Sequence, residues 1–183
     1  MIDVAVELGA PQILVTSGWA YLDEPAEDAW VRSVAMLRSV CDYADTRGIR
    51  VALEALQPSE SVLVNTAQDV ARILEAVDRP NLKACIDFGA MEVAGDTIDG
   101  YFEVLGDKIV HTHFVDVGGG TTHLAWGDGE RDMRADLEAL IRHGYTGYVS
   151  AETCDGRYYQ DPSKATTQVI EMYRRVTAEM EAE

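Results

Sequence analysis

Apolar residues along the chain fall into two rhythms. Short β-branched runs at Gln12–Thr16, Arg50–Leu56, Leu82–Asp87, Lys108–Val115 and Tyr148–Glu152 read as strands. Between them apolar positions recur every three or four residues, the period of a helix with one buried face. Trp30, Val34, Leu37, Cys41 and Ala44 mark that face in a helix from about Ala26 to Ala44. Asn65 and Thr66 suit the start of a second helix that buries Val70, Ile73, Leu74 and Val77, and Pro80 forces its end. A third helix spans about Asp96 to Leu105, with Gly106 placed to terminate it. A fourth carries Met133, Leu137, Leu140 and Ile141 ahead of Gly144. The last begins at Pro162, suited to a first helical turn, and presents Val169, Met172, Tyr173, Val176 and Met180.

Strand and helix alternate without interruption, which predicts an α/β fold of parallel strands joined by helical crossovers. No linker, low-complexity tract or charge block divides the chain, so residues 1–183 read as one domain. The strand starts at 12, 50, 82, 108 and 148 are spaced like the units of a closed eight-stranded barrel, which average roughly 31 residues each. Five strands do not close such a barrel. The pattern itself leaves two architectures: an open parallel sheet, or the carboxy-terminal part of a barrel.

Composition narrows the partners. The chain has 15 basic and 32 acidic residues, a formal charge of −17, and the basic residues are scattered. That excludes the clustered positive footprint a nucleic-acid partner requires. Charges interrupt every apolar run before membrane-spanning length, so no membrane association is expected. Met1-Ile2-Asp3-Val4 shows no basic region ahead of an apolar stretch, so no signal peptide is expected. Cys41, Cys85 and Cys154 are few, odd in number and unpaired in spacing, which fits a reducing cytoplasm.

In parallel α/β folds the chemistry gathers at the carboxy ends of the strands. Four predicted strands end in a polar residue suited to metal binding or proton transfer: Glu54, Asp87, His113 and Glu152. One such residue is as readily a loop start or a helix cap; four at matching heights form a hard, mixed oxygen and nitrogen ligand set. That set suits manganese, magnesium, cobalt or zinc, with manganese favoured by the carboxylate majority. His111 shares a strand face with His113 and reads as a core residue or a second ligand. His123 lies in a polar loop that either covers a ligand or is plain surface. His143, at a helix end, complements the dipole. Cys85 and Cys154 read as small apolar fillers, and Gly118-Gly119-Gly120 as a flexible turn. No phosphate-cradling loop and no serine nucleophile elbow is present.

At these residues the chain resembles the xylose-isomerase-like barrels, specifically the sugar isomerase/epimerase group of fructoselysine 3-epimerase and the tagatose/psicose-type ketose 3-epimerases. The similarity covers essentially all 183 residues. It is strongest through Tyr101–Lys108, through His111-Thr112-His113-Phe114-Val115-Asp116 and through Gly144–Tyr148. The spacings of 33 residues from Glu54 to Asp87 and 26 from Asp87 to His113 fit the family's metal-ligand set. The resemblance implies an incomplete (β/α)8 TIM barrel of about five parallel strands, with one divalent metal, usually manganese, on Glu54, Asp87, His113 and Glu152. It implies that Glu54 and Glu152 are the acid/base pair of a C3 epimerisation through a metal-stabilised enediolate, acting on a small-molecule sugar. Glu60, six residues after Glu54, matches a substrate-hydroxyl ligand, and Trp19 and His123 join it as substrate-binding candidates.

The chain departs from the tagatose pattern in three places. Ala90 stands where those enzymes carry a histidine, Val117 to Gly120 replace their arginine loop, and Trp126-Gly127-Asp128-Gly129 replaces Pro-Gly-x-Gly. The first departure points toward a fructoselysine-like ketosamine. The resemblance also aligns Met1 with the third helix of a full barrel, with the first three βα units absent from this chain. Two open sheet edges would follow, a setting for homo-oligomer pairing. Competing readings are a keto-inositol dehydratase, a hydroxypyruvate isomerase or a 3-keto-glycoside lyase with the same ligands, an inactive fragment that folds with a partner, and a plain structural α/β domain.

Overall fold

A computed structural model describes residues 1–183. Helix α1 (Ile2–Leu8) leads into β1 (Gln12–Thr16), and then β2 (Arg50–Glu54), β3 (Leu82–Asp87), β4 (Ile109–His113) and β7 (Tyr148–Ser150) complete a five-stranded parallel sheet. These strands lie side by side in chain order, the wall of an incomplete barrel. A hairpin of β5 (Asp116–Gly118) and β6 (Thr121–Leu124) is inserted after β4. The crossover helices are α2 (Ala26–Thr46), α3 (Ala67–Val77), α5 (Ile98–Leu105) and α6 (Met133–Arg142), and the chain closes with α7 (Pro162–Glu181). Successive helices touch their neighbours around the outside of the sheet.

The periodicity survives in the burial. Val34, Leu37, Cys41 and Ala44 of α2 are buried, as are Val70, Ile73, Leu74 and Val77 of α3. Thr66 accepts from the Asp69 amide at 3.1 Å, and the Asp69 carboxylate accepts from the Thr66 amide at 3.2 Å, a reciprocal cap at the start of α3. Ile141 departs from expectation. It is 64% exposed, because Leu137 and Leu140 already fill the inward stripe of α6 and the next position turns away from it.

Three strands are shorter than their apolar runs. After Glu54 the chain leaves the sheet, and the Leu56 amide donates to the Val64 carbonyl at 3.0 Å. Lys108 belongs to a tight helical turn, Gly106–Lys108. The predicted strand to Glu152 ends at Ser150, because β4 stops at His113 and offers no further partner. The third predicted helix starts at Ile98 rather than Asp96. Thr97 caps it, and the Asp96 carboxylate accepts instead from the Ala67 amide at 2.9 Å, tying down the start of α3.

A helix and a hairpin were not anticipated. Helix α4 (Phe88–Ala94) follows β3 directly, capped by Asp87 and closed by Gly95 at φ 75°. Gly118-Gly119-Gly120 is no loose turn. Gly119 and Gly120, at φ 58° and 76°, form the two-residue loop that reverses β5 into β6.

The segment after the hairpin is held by one buried carboxylate. Asp116 Oδ1 accepts from the amides of Val117 (2.8 Å) and Arg131 (3.0 Å), and Oδ2 from those of Gly127 and Gly129 (both 2.9 Å). A Cβ at Gly129 would collide with the Asp116 carboxylate and the Val117 carbonyl, so only glycine fits there. Trp126, fully buried, donates its indole N–H to the Phe114 carbonyl at 2.9 Å and stacks on the Phe114 ring.

Candidate metal centre and active site

The carboxy ends of β2, β3 and β4 deliver Glu54, Asp87 and His113, and Glu152 arrives two residues beyond β7. Their ligand atoms all lie within 4.8 Å of one another. His113 Nδ1 is 2.5 Å from Glu54 Oε1, 2.8 Å from Glu152 Oε2 and 3.8 Å from Asp87 Oδ2. Glu54, Asp87 and His113 are buried, while the Glu152 side chain is 40% exposed.

Two local devices set this geometry. Asp87 Oδ1 accepts from the Ala90 amide at 2.5 Å as the cap of α4, which leaves Oδ2 to face the cluster. The helix-cap reading is satisfied by Oδ1, and Oδ2 stays available for the ligand reading. The second device is a slip of register. Ala84 stands opposite Ile109, but Cys85 stands opposite His111, so Val110 has no partner. That extra residue brings His113 directly opposite Asp87.

The electrostatics call for a cation. Burial pushes the Glu54 carboxyl above the usual range. Burial also pushes the His113 imidazole down, but the adjoining Glu152 and Glu54 carboxylates outweigh it and raise the ring to about 10. Even with a charged imidazole, three carboxylates exceed it. Asp87 Oδ2 and His113 Nδ1 are buried yet make no aligned hydrogen bond. Donors arranged around a divalent ion at about 2.1 Å span up to about 4.2 Å, close to the spread seen here. The residues therefore fit a hard divalent metal.

The remaining candidates fall at different depths. His123 was expected in a loop; it lies instead in β6, with Nε2 3.5 Å from Asp87 Oδ2 and 3.6 Å from Glu152 Oε2. The Asp87 carboxylate beside it, reinforced by the charges of Glu152 and Glu60, raises its pKa. Glu60 is exposed, and its carboxylate accepts from the Gln57 amide at 2.9 Å. Trp19 is 66% exposed on the segment after β1. His111 is half-buried beside the His113 ring, 5.5 Å between centroids, and is not among the residues whose donor atoms converge. His143 caps α6, bonds Asp99 at 2.6 Å and stacks on Phe102. Cys154 is exposed, not a filler, and Cys85 is fully buried with its sulfur within reach of Glu54 and His113.

Sequence reading missed the residues behind His123. Gln57 Nε2 donates to Thr122 Oγ1 at 3.1 Å, and that hydroxyl lies 2.9 Å from His123 Nδ1. Two glycines between alternating residues are a hairpin signal that would have exposed the arrangement.

A melt tests the metal fit. Saturating manganese should raise the melting temperature by about 5–10 °C, the shift that about 2.7 kcal/mol of binding energy gives a chain of this size. Asp87→Asn keeps the cap of α4 but presents an amide to the cluster, and should lose the rise. An undiminished rise in that variant would remove Asp87 from the ligand set.

A sequence profile of the family described as xylose isomerase-like TIM barrel matches residues 1–176. The chain is 34% identical over 181 residues to fructoselysine 3-epimerase of Shigella flexneri, covering 98% of this chain and 65% of that protein. The chain thus spans about two thirds of the length of the curated relatives it matches. A D-tagatose 3-epimerase-like protein superposes with a TM-score of 0.79 at 26% identity, over 98% of this chain and 68% of the other. The IOLI protein, solved with a zinc atom bound, superposes with a TM-score of 0.78 at 24% identity, over 98% and 67%.

Proposed function

The chain belongs to the xylose isomerase-like TIM-barrel family, and from that premise we propose that it is a divalent-metal-dependent sugar epimerase acting at C3 of a ketose or ketosamine. The observation that carries this reading is the convergence of Glu54 and Glu152, from β2 and from the segment after β7, on the two short contacts to His113. An epimerisation needs two proton-transfer groups that reach one carbon from opposite faces, which well-separated strands can supply.

Glu54, Asp87, His113 and Glu152 would hold a divalent cation, manganese by preference, which when bound would supply Lewis-acid polarisation of the sugar carbonyl. One glutamate takes the C3 proton, and the electron pair of the broken C–H bond forms the enediolate double bond. The other glutamate returns a proton to the opposite face of C3. Burial raises the Glu54 carboxyl above its ordinary range, which favours its protonated form. His123 stands beside the cluster to bind a sugar oxygen, with Glu60 and Trp19 at the rim.

The ketosamine preference rests on the similarity to fructoselysine 3-epimerase and on Ala90, whose methyl group leaves no polar arm there. One apolar cluster running from Ala5 to Val176 supports a single domain. Cysteine usage supports a cytoplasmic setting, and the one-sided pairing of β1 and β7 supports association with another chain.

Deuterium incorporation at C3 in heavy water is the direct test. The manganese-loaded chain should exchange the C3 hydrogen of a fructosamine such as fructoselysine faster than that of a plain ketose. A chain that binds manganese but exchanges neither would refute the epimerase reading.

A further inference from the structure

His123 occupies a backbone position that its strand does not require. Asp116 pairs with Leu124 and Gly118 with Thr121, so Thr122 and His123 together face the single residue Val117. This bulge places His123 at φ 58°, one of two non-glycine residues with positive φ; the other, Asp78, ends α3, where such a value is ordinary. Gly89 makes room for the bulge. A Cβ there would stand 3.0 Å from Thr122 Cβ and 3.4 Å from His123 Cε1. The hairpin therefore lies tightly on α4 and aims the imidazole at the metal-ligand cluster.

The ring's outer side is tethered. Thr122 Oγ1 receives a hydrogen bond from Gln57 Nε2 at 3.1 Å, which leaves its own proton free for His123 Nδ1, 2.9 Å away. A neutral imidazole carries one proton, so an accepting Nδ1 puts that proton on Nε2. Nε2 is 3.5 Å from Asp87 Oδ2 and 3.6 Å from Glu152 Oε2, too far for either to hold the proton well. We infer that Gln57 and Thr122 are positioning residues that lock His123 as an Nε2–H donor aimed into the site. The donor's target, an oxygen of the sugar, rests on the epimerase reading; the tautomer does not.

Nitrogen-correlated NMR of the full chain, labelled at histidine, loaded with magnesium and held at mildly alkaline pH, reads the tautomer directly. The resonances of His123 are those lost in His123→Gln. The wild type and Thr122→Ser should show a single Nε2–H form, while Thr122→Val and Gln57→Leu should show a mixture. A wild-type Nδ1–H form, or a Thr122→Val spectrum like the wild type, would overturn the assignment. In kinetics with manganese and a ketosamine, Thr122→Val should raise KM about tenfold, the loss of roughly one hydrogen bond, with kcat changed less, and Thr122→Ser should restore it. A ring locked as Nε2–H in a chain that exchanges no sugar would uphold the relay and refute the epimerase reading.

Discussion

On the proposed epimerase reading, Glu152→Gln should abolish epimerisation in both directions, yet leave solvent deuterium entering one of the two C3 epimers. Glutamine keeps the size of the side chain and an oxygen that can face a metal, but it cannot accept a proton. If Glu54 and Glu152 serve opposite faces of C3, each removes the proton from one epimer only. Losing Glu152 silences the epimer it deprotonates, while Glu54 still exchanges the hydrogen of the other with solvent. Glu54→Gln is the mirror image. Removing a positioned acid/base group costs about 10²–10⁴-fold, so the asymmetry should be plain in an NMR time course. Each variant should keep a manganese-dependent melting rise. Equal loss of the same epimer in both variants would mean that a single group works both faces.

The second large effect concerns folding. Asp116→Ala removes the acceptor of four backbone amides at once and leaves them under the Trp126 segment. Hydrogen bonds to a charged group contribute about 1.5–3 kcal/mol each, and orphaned buried donors add a further cost. A loss above about 4 kcal/mol follows, a large share of the roughly 5–15 kcal/mol that holds a domain folded. Asp116→Asn should fall between, since its one acceptor oxygen satisfies only one of the two amide pairs. Urea unfolding midpoints of the three proteins give the comparison. An Asp116→Ala variant as stable as the wild type would show that these amides find water or other partners.

The sequence carried the frame of the molecule because burial repeats at strand and helix periods. Gln12–Thr16 and Leu82–Asp87 end where the apolar runs end, since both strands have neighbours along their length. Arg50–Leu56 and Tyr148–Glu152 overran, because a strand's length depends on how far its neighbours continue, which local pattern does not record. Helix α4 escaped notice because Gly89 lowers helix propensity in a seven-residue element. The convergence of Glu54, Asp87, His113 and Glu152 was legible because a charge at the end of an apolar strand is unusual. The support behind it was not: Gln57 and Thr122 lie 65 residues apart and carry no pattern of their own. Asp116 was visible in its motif, but its four amides come from positions up to 15 residues further along the chain.

The unpartnered Val110 gives the interval between Asp87 and His113 a mechanical meaning. In a parallel sheet, residues on one strand alternate between its two faces, so the count of residues from a fixed start decides which way a side chain points. Deleting one residue of β4 after the unpartnered Val110 would set Phe114 opposite Asp87 and leave His113 short of the cluster, opposite Ile86. Everything that hangs from that strand, the hairpin and its histidine included, would arrive half a pleat out of phase. Lengthening the surface connection after Arg142 would be absorbed before Tyr148 with little effect. Along this chain, tolerance of insertions and deletions is therefore a map of the sheet: the bonds that fix the register forbid what the outer turns allow.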